Sequence, residues 1–125
     1  KHMIDQGEGG RLIGTSSTSA IHGAARNEAY AASKGAMLAM TRGLAVELAR
    51  YKITANTIIP GWIETAMTAP RVGNELFEDR VMKRVPVRRW GQPKDFAGIA
   101  VYLASSASDY QTGEEFVIDG GYTRF

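Results

Sequence analysis

Tyr30 and Lys34 form a pair of side chains whose types and spacing suit proton transfer. They are four residues apart in a segment that favours a helix, so their side chains share one helical face. A lysine ammonium beside a phenol favours the phenolate form, which equips the phenol to give and take a proton. Such a pair is suited to interconverting a carbonyl and an alcohol. Taken alone, the same spacing also fits two unrelated residues.

Ser17 lies thirteen residues before Tyr30 and directly follows a short apolar run. A hydroxyl at the mouth of a strand can hydrogen-bond a substrate oxygen and orient it towards the phenol. The alternative is a loop serine that satisfies neighbouring backbone groups.

The segment from Pro60-Gly61 to Thr65 follows a second apolar run. Ligands bind at the carboxyl ends of strands in open α/β sheets. Glycine lets a backbone approach a ligand closely, and exposed amides beside a threonine hydroxyl can bind an amide or a phosphate. This segment is therefore a candidate ligand loop, although any turn that ends a strand has a similar composition.

Strands and helices alternate along the chain, and they must position these residues. Residues 53–59 form a continuous β-branched run, which is typical of a strand buried on both faces. The order of elements predicts an α/β fold with a parallel sheet. The predicted strands are residues 11–15, 53–59 and 115–118, and the predicted helices are residues 28–50, 74–84 and 93–104.

The predicted helix over residues 28–50 carries small or apolar residues on two faces. A helix of this kind must be covered by its own sheet and by something else, which predicts a seam between subunits. One face has Met37, Met40, Leu44 and Leu48; the other has Ala32, Ala36, Ala39 and Gly43.

Composition excludes several classes of protein. The 125 residues and 44% hydrophobic content predict a single domain, and the net charge of +2 argues against binding to nucleic acid or a membrane surface. With no cysteine and only two histidines, a disulfide framework, a thiol nucleophile and a Cys- or His-built metal site are not expected. Since no apolar run has the length of a membrane span, we expect a cytoplasmic protein.

Together these motifs resemble the short-chain dehydrogenase/reductase family. The resemblance starts from Ser17, from Tyr30 in Tyr-Ala-Ala-Ser-Lys, and from Pro60-Gly61-x-x-x-Thr65. It extends to Asn56, to Arg-Trp-Gly-Gln-Pro at residues 89–93, and to Asp-Gly-Gly at residues 119–121. It covers essentially all of residues 1–125, in order.

The resemblance implies an NAD- or NADP-dependent oxidoreductase on a Rossmann-type doubly wound parallel sheet, interconverting a secondary alcohol and a ketone. Tyr30 would be the general acid or base, and Ser17 would hold the substrate oxygen. Lys34 would assist Tyr30 and bind the nicotinamide ribose. Tyr30 would contact the cofactor as well. The remaining implied cofactor contacts are Pro60, Gly61, Ile63 and Thr65, and the substrate contacts besides Ser17 are Ser19, His22, Asn27 and Trp62.

The sequence departs from the family pattern in its first part. It has no Gly-rich phosphate loop and no asparagine before Asn27. Residues 1–125 are therefore expected to be the C-terminal half of one Rossmann-type domain, without the dinucleotide-binding half. A homo-oligomer, a dimer or a tetramer, is expected, with the helix over residues 28–50 and the C-terminal strand at its seams.

Two classes of function stay open. The first is an oxidoreductase acting on a small carbonyl or alcohol, with a 3-oxoacyl thioester and a sugar or polyol both possible. The second is a catalytically incompetent fragment that acts as an assembly module. Residues 71–89, here called the basic segment, hold six basic and three acidic residues. They favour the solvated face of a lid over the substrate, with attraction of a phosphorylated substrate or an acidic carrier as the alternative.

Overall fold

A three-stranded parallel sheet organises residues 1–124, the part of the chain that the computed structural model describes. Its strands lie in the order β1 (Gly10–Thr15), β2 (Ile53–Pro60) and β3 (Glu115–Ile118). The helices are α1 (His2–Gln6), α2 (Ser19–His22), α3 (Glu28–Leu48), α4 (Glu75–Val81) and α5 (Ala97–Ala104). The predicted α/β fold with a parallel sheet is confirmed.

β2 is the central strand and is the most deeply buried part of the chain. Every residue from Ile53 to Ile59 is buried, including the polar Thr54, Asn56 and Thr57, as the continuous, non-alternating run predicts. Thr15 of β1 lies opposite Ile58, and Pro60 lies opposite Ile118 of β3. The carboxyl ends of all three strands therefore meet at one edge of the sheet. Among the described strands, β1 pairs on one side only.

Helices cover both faces of the sheet. Gly14 faces α3, where a Cβ on this residue would lie 3.1 Å from the Met37 sulfur. Arg11, on the opposite face of β1, donates to the carbonyl of Ser105, just beyond α5, and pairs with Asp109. Helices on both faces of a parallel sheet are the predicted Rossmann-type, doubly wound arrangement.

α3 buries one line of residues and leaves the rest half-buried or exposed. Its buried residues are Leu38, Thr41 and Ala45. Met40, on the first predicted face, is 54% exposed, while Met37, Leu44 and Leu48 of that face are half-buried. Each residue turns the helix by about 100°, so Met40 points away from the line through Thr41. The second predicted face is exposed: it comprises Ala32, Ala36, Ala39 and Gly43.

Short 3₁₀ turns account for the other differences from prediction. The predicted helix over residues 74–84 is α4 followed by a 3₁₀ turn, Met82–Arg84. Asn74 caps α4 by accepting the Phe77 backbone N–H at 3.0 Å. The predicted helix from Pro93 starts as a 3₁₀ turn, Pro93–Phe96, and continues as α5. Among residues 1–124, no helix combines the length and apolar character needed to cross a bilayer.

Candidate active site

An open cavity of about 700 Å³ lies at the carboxyl edge of the sheet, here called the carboxyl-edge cavity. The loop after β1, the start of α3, the loop after β2 and the turn before α5 form its wall. All the predicted site residues except His22 line it. From the first two segments these are Ser17, Ser19, Asn27, Tyr30 and Lys34; from the loop after β2 they are Pro60, Gly61, Trp62, Ile63 and Thr65.

The loop after β1 continues the hydrogen-bonding ladder of the sheet and so holds Ser17 in place. The Ser16 N–H donates to the Ile58 carbonyl at 2.9 Å, and the Thr18 N–H donates to the Pro60 carbonyl at 3.1 Å. The Ser17 hydroxyl oxygen accepts the Ser19 N–H at 3.1 Å. As an acceptor in that bond, the hydroxyl keeps its own proton for another oxygen.

Tyr30 and Lys34 lie on one face of α3, as their spacing predicts. The Lys34 ammonium is 5.7 Å from the centroid of the Tyr30 ring. It donates to the carbonyl of Thr15, the last residue of β1, at 3.0 Å. Because an ammonium has three protons, this bond leaves two for other acceptors. The Ser16 hydroxyl also donates to the Lys34 carbonyl at 2.8 Å, which ties the loop to the helix.

The loop after β2 is held from behind by the end of β3. The Gly61 N–H donates to the Ile118 carbonyl at 3.0 Å. A Cβ on Gly61 would lie 2.6 Å from the Asp119 Cβ and 2.7 Å from its Cα, so only glycine fits. The Thr68 hydroxyl donates to the Ile63 carbonyl at 2.5 Å and accepts the Thr65 N–H at 2.9 Å. These hydrogen bonds and the close contact with Asp119 give the loop a defined shape.

Asp119 organises the turn behind that loop. Its carboxylate accepts the N–H groups of Gly121 and Thr123, both at 2.8 Å. Burial opposes ionisation, but hydrogen bonds from the Thr123 side chain and from these two backbone groups hold the pKa of Asp119 below its ordinary value. The carboxylate thus keeps its charge as it fixes the turn against Gly61.

An aromatic cluster joins α4 to the loop after β2. Trp62 meets Phe77 edge-on at 4.9 Å between ring centroids, and Phe77 stacks on Trp90 at 5.6 Å. The Trp90 indole N–H donates to Glu78 at 3.2 Å, and the same oxygen accepts the Gly73 N–H at 2.8 Å. These contacts hold the basic segment beside the cavity.

His22 is not among the residues that line the carboxyl-edge cavity. Its ring packs edge-on against Tyr122 at 5.6 Å, and its Nδ1 is 2.7 Å from the Gly23 carbonyl. The expected contact of His22 with substrate has no support in this position. His22 ends α2, a short helix that was not predicted.

The wall also contains residues that the sequence does not point to. Met67, Thr68, Pro93 and Phe96 line it. Only the fold brings Pro93 and Phe96 into the same cavity wall as Ser17. Arg71, noted in the sequence as part of the basic segment, lines the cavity as well. In the described part of the chain, no group of three or more His, Asp or Glu side chains is placed to hold a metal ion.

Comparison with known proteins gives consistent matches along the chain. Residues 1–123 match the model of a family described as enoyl-(acyl carrier protein) reductase. A 5-keto-D-gluconate 5-reductase of Escherichia coli K12 is 42% identical over 121 residues, covering 97% of this chain and 47% of that protein. A 2-dehydro-3-deoxy-D-gluconate 5-dehydrogenase of the same strain is 40% identical, covering 98% of this chain and 48% of that protein.

Among solved structures, a gluconate 5-dehydrogenase from Burkholderia cenocepacia J2315, in complex with NADP and tartrate, superposes with a TM-score of 0.94. It is 39% identical, and the match covers 99% of this chain and 48% of that one. The chain thus spans about half the length of the relatives it matches.

Proposed function

Because the chain belongs to the short-chain dehydrogenase/reductase family, we propose that it carries the reaction site of an NAD(P)-dependent oxidoreductase that interconverts a secondary alcohol and a ketone. One observation carries this proposal. A serine hydroxyl, a phenol and an ammonium lie in the wall of one cavity, together with the Pro60–Thr65 loop. The relatives bear the names of dehydrogenases and reductases, so the alternative of an assembly module has no support from them.

In the proposed mechanism, the Tyr30 phenol gives its proton to the substrate oxygen during reduction and takes it back during oxidation. The Ser17 hydroxyl has a free proton and donates it in a hydrogen bond to the same oxygen. Lys34, held by the Thr15 carbonyl, favours the phenolate that forms on Tyr30. Its two remaining N–H donors suit a ribose diol.

The Pro60–Thr65 loop fits the nicotinamide end of the cofactor. Gly61 has no side chain, so the loop can lie tight against the end of β3 and present its backbone to the cavity. We assign the Ile63 backbone to the carboxamide, and Thr65 to the amide or the diphosphate. When bound, the nicotinamide supplies or accepts the hydride. NAD and NADP both fit these contacts, and NADP in the Burkholderia enzyme favours trials with NADP first.

We assign a sugar acid as the substrate. Relatives named for gluconates align with nearly the whole chain, which favours this class over a 3-oxoacyl thioester. The wall of the cavity supports the assignment, since it is rich in side chains that hydrogen-bond hydroxyl groups: Thr15, Ser16, Ser17, Thr18, Ser19, Asn27, Thr65 and Thr68.

A homo-oligomer and a cytoplasmic location complete the proposal. The exposed small-residue face of α3 supports the first, because neighbouring backbones can approach it closely. Cell fractionation with a cytoplasmic marker tests the second.

The reaction is tested by following absorbance at 340 nm with NAD⁺ or NADP⁺ and D-gluconate, and with the reduced cofactors and 5-keto-D-gluconate. Tyr30→Phe removes the proton donor and keeps the ring, so turnover should fall by about 100-fold or more. Tyr110→Phe is the matched control, since Tyr110 is fully exposed and does not line the cavity. Turnover of Tyr30→Phe close to that of the control would refute the mechanism.

A further inference from the structure

We propose that Arg71 binds the carboxylate of the substrate and selects acidic sugars over neutral ones. This inference rests on the proposed function and adds a specificity-determining residue to it. The structural basis is a guanidinium in the wall of the cavity. It lies on a turn that is hydrogen-bonded to the Pro60–Thr65 loop, here called the cofactor loop.

The charged side chains in the described part of the cavity wall are all positive. Lys34 and Arg71 are the charged residues in it, and within residues 1–124 no carboxylate lines it. Lys34 already donates to Thr15 and lies by Tyr30, so its charge belongs to the reacting end of the site. Arg71 is therefore the cation available to a second anionic group.

The guanidinium of Arg71 makes no ion pair or hydrogen bond with the described residues. Among the described residues, four of the five other cations of the basic segment have partners, and Arg80, which has none, does not line the cavity. Arg89 binds Asp95 through two hydrogen bonds of 2.7 and 3.0 Å, and Lys83 pairs with Asp79. Arg84 lies over the Tyr122 ring at 4.9 Å. An arginine with all its donors free can bind a carboxylate through two parallel N–H bonds.

Arg71 is joined to the cofactor loop by a short series of hydrogen bonds. The Thr68 hydroxyl donates to the Ile63 carbonyl at 2.5 Å. The Arg71 N–H in turn donates to the Thr68 carbonyl at 2.8 Å, within the 3₁₀ turn Ala69–Arg71. The backbone that carries the guanidinium is therefore placed relative to the loop, and the guanidinium can hold the far end of a substrate whose reacting carbon lies by Ser17.

The test compares Arg71→Met with wild type on an acidic and a neutral substrate. The probes are D-gluconate and a neutral hexitol of the same carbon number, D-sorbitol. A lost charge-assisted hydrogen bond should raise the KM for gluconate by about 10- to 100-fold. The rate with sorbitol and the KM for NADP⁺ should not change. Arg71→Lys keeps the charge, so its KM for gluconate should lie between the values of wild type and Arg71→Met.

Arg80→Met is the matched control, because it removes a charge of the same segment that does not line the cavity. If Arg71→Met raises the gluconate KM no more than this control, the inference is wrong. If it raises the KM for NADP⁺ instead, Arg71 binds a cofactor phosphate and the inference is also wrong. If wild type oxidises sorbitol and not gluconate, the inference fails while the oxidoreductase proposal stands. Absence of any NAD(P)-dependent turnover counts against both.

Discussion

Lys34 connects two elements of the candidate active site, the end of β1 and the helix α3 that carries Tyr30. Its ammonium donates to the end of β1, while its aliphatic chain rises from α3 beside Tyr30. The position of the charge is thus set by the strand and that of the phenol by the helix. A change at this residue should disturb cofactor binding and proton transfer together.

Lys34→Ala should therefore raise the KM for the cofactor and lower kcat, each by about tenfold or more, because it removes a charged hydrogen-bond donor. Steady-state kinetics with varied NADP⁺ measures both effects. Lys94→Ala, which removes an exposed lysine outside the cavity, is the control. A change in kcat alone would mean that Lys34 does not contact the cofactor.

Residue types and local spacing made Ser17, Tyr30 and Lys34 candidates, and the family resemblance predicted that they share one site. The four-residue interval of the pair follows from helical geometry, and Ser17 follows a recognisable strand. Phe96 could not be predicted in the same way, since its place in the cavity depends on how the chain returns to the sheet. The position of His22 outside the cavity wall could not be predicted either, because nothing local signals the short helix α2 that carries it.

At the scale of elements, the contact between Gly61 and Asp119 couples the cofactor loop to the end of β3. Gly61→Ala would place a Cβ within 2.7 Å of the Asp119 backbone, which cannot swing away. We expect a destabilisation of about 1–3 kcal/mol and a raised KM for the cofactor, because the loop must move.

Thermal unfolding and cofactor kinetics measure the two effects of Gly61→Ala. Gly98→Ala in α5 is the control, since nothing lies within 4 Å of its added Cβ. That control should leave activity unchanged and stabilise the protein by about 0.5–1 kcal/mol. Equal behaviour of the two variants would show that the loop does not depend on this close contact.

The start of α5 depends on a carboxylate whose charge persists in acid. Hydrogen bonds from Arg89 and then from the Gln92 N–H lower the pKa of Asp95 to about 2. A lowered pKa in the folded state stabilises the fold above the ordinary pKa of 3.8 and loses that effect as the pH falls towards 2.

Asp95→Asn should lower the Tm at pH 7, and the difference from wild type should shrink between pH 4 and pH 2. Scanning calorimetry at several pH values measures this. A Tm difference independent of pH would show that the charge of Asp95 contributes nothing.

Strand boundaries were predicted closely because glycine, proline and apolar runs mark them. β3 matches its predicted range, and β2 differs by one residue. The burial of individual helix residues was less predictable. Met40 and Thr41 are adjacent, yet the sheet covers the threonine and leaves the methionine exposed. Contacts with the sheet decide which face of α3 is buried, and the strands of the sheet lie outside the sequence of the helix.

At the scale of the whole molecule, the exposed face of α3 is the candidate contact between subunits. It carries Ala39 and Gly43, and Val46 beside them is 84% exposed. Ala39→Glu should lower the molar mass in light scattering, because a buried charge opposes close helix packing. Leu76→Glu, at an exposed position on α4, is the control and should leave the molar mass unchanged. Unchanged mass in both variants would place the contact elsewhere.

The burial of β2 also bears on how fast parts of the molecule exchange their amide protons with water. β2 has a partner on each side and no exposed residue from Ile53 to Ile59, so deuterium can enter only when the sheet opens as a unit. Arg71 and most of α4 are exposed and should take up deuterium early. The Pro60–Thr65 loop lies between the slowly exchanging strand β2 and the rapidly exchanging residues around Arg71 and α4. A substrate can then enter or leave by local opening on one side of the loop, while the strand that anchors the other side stays closed.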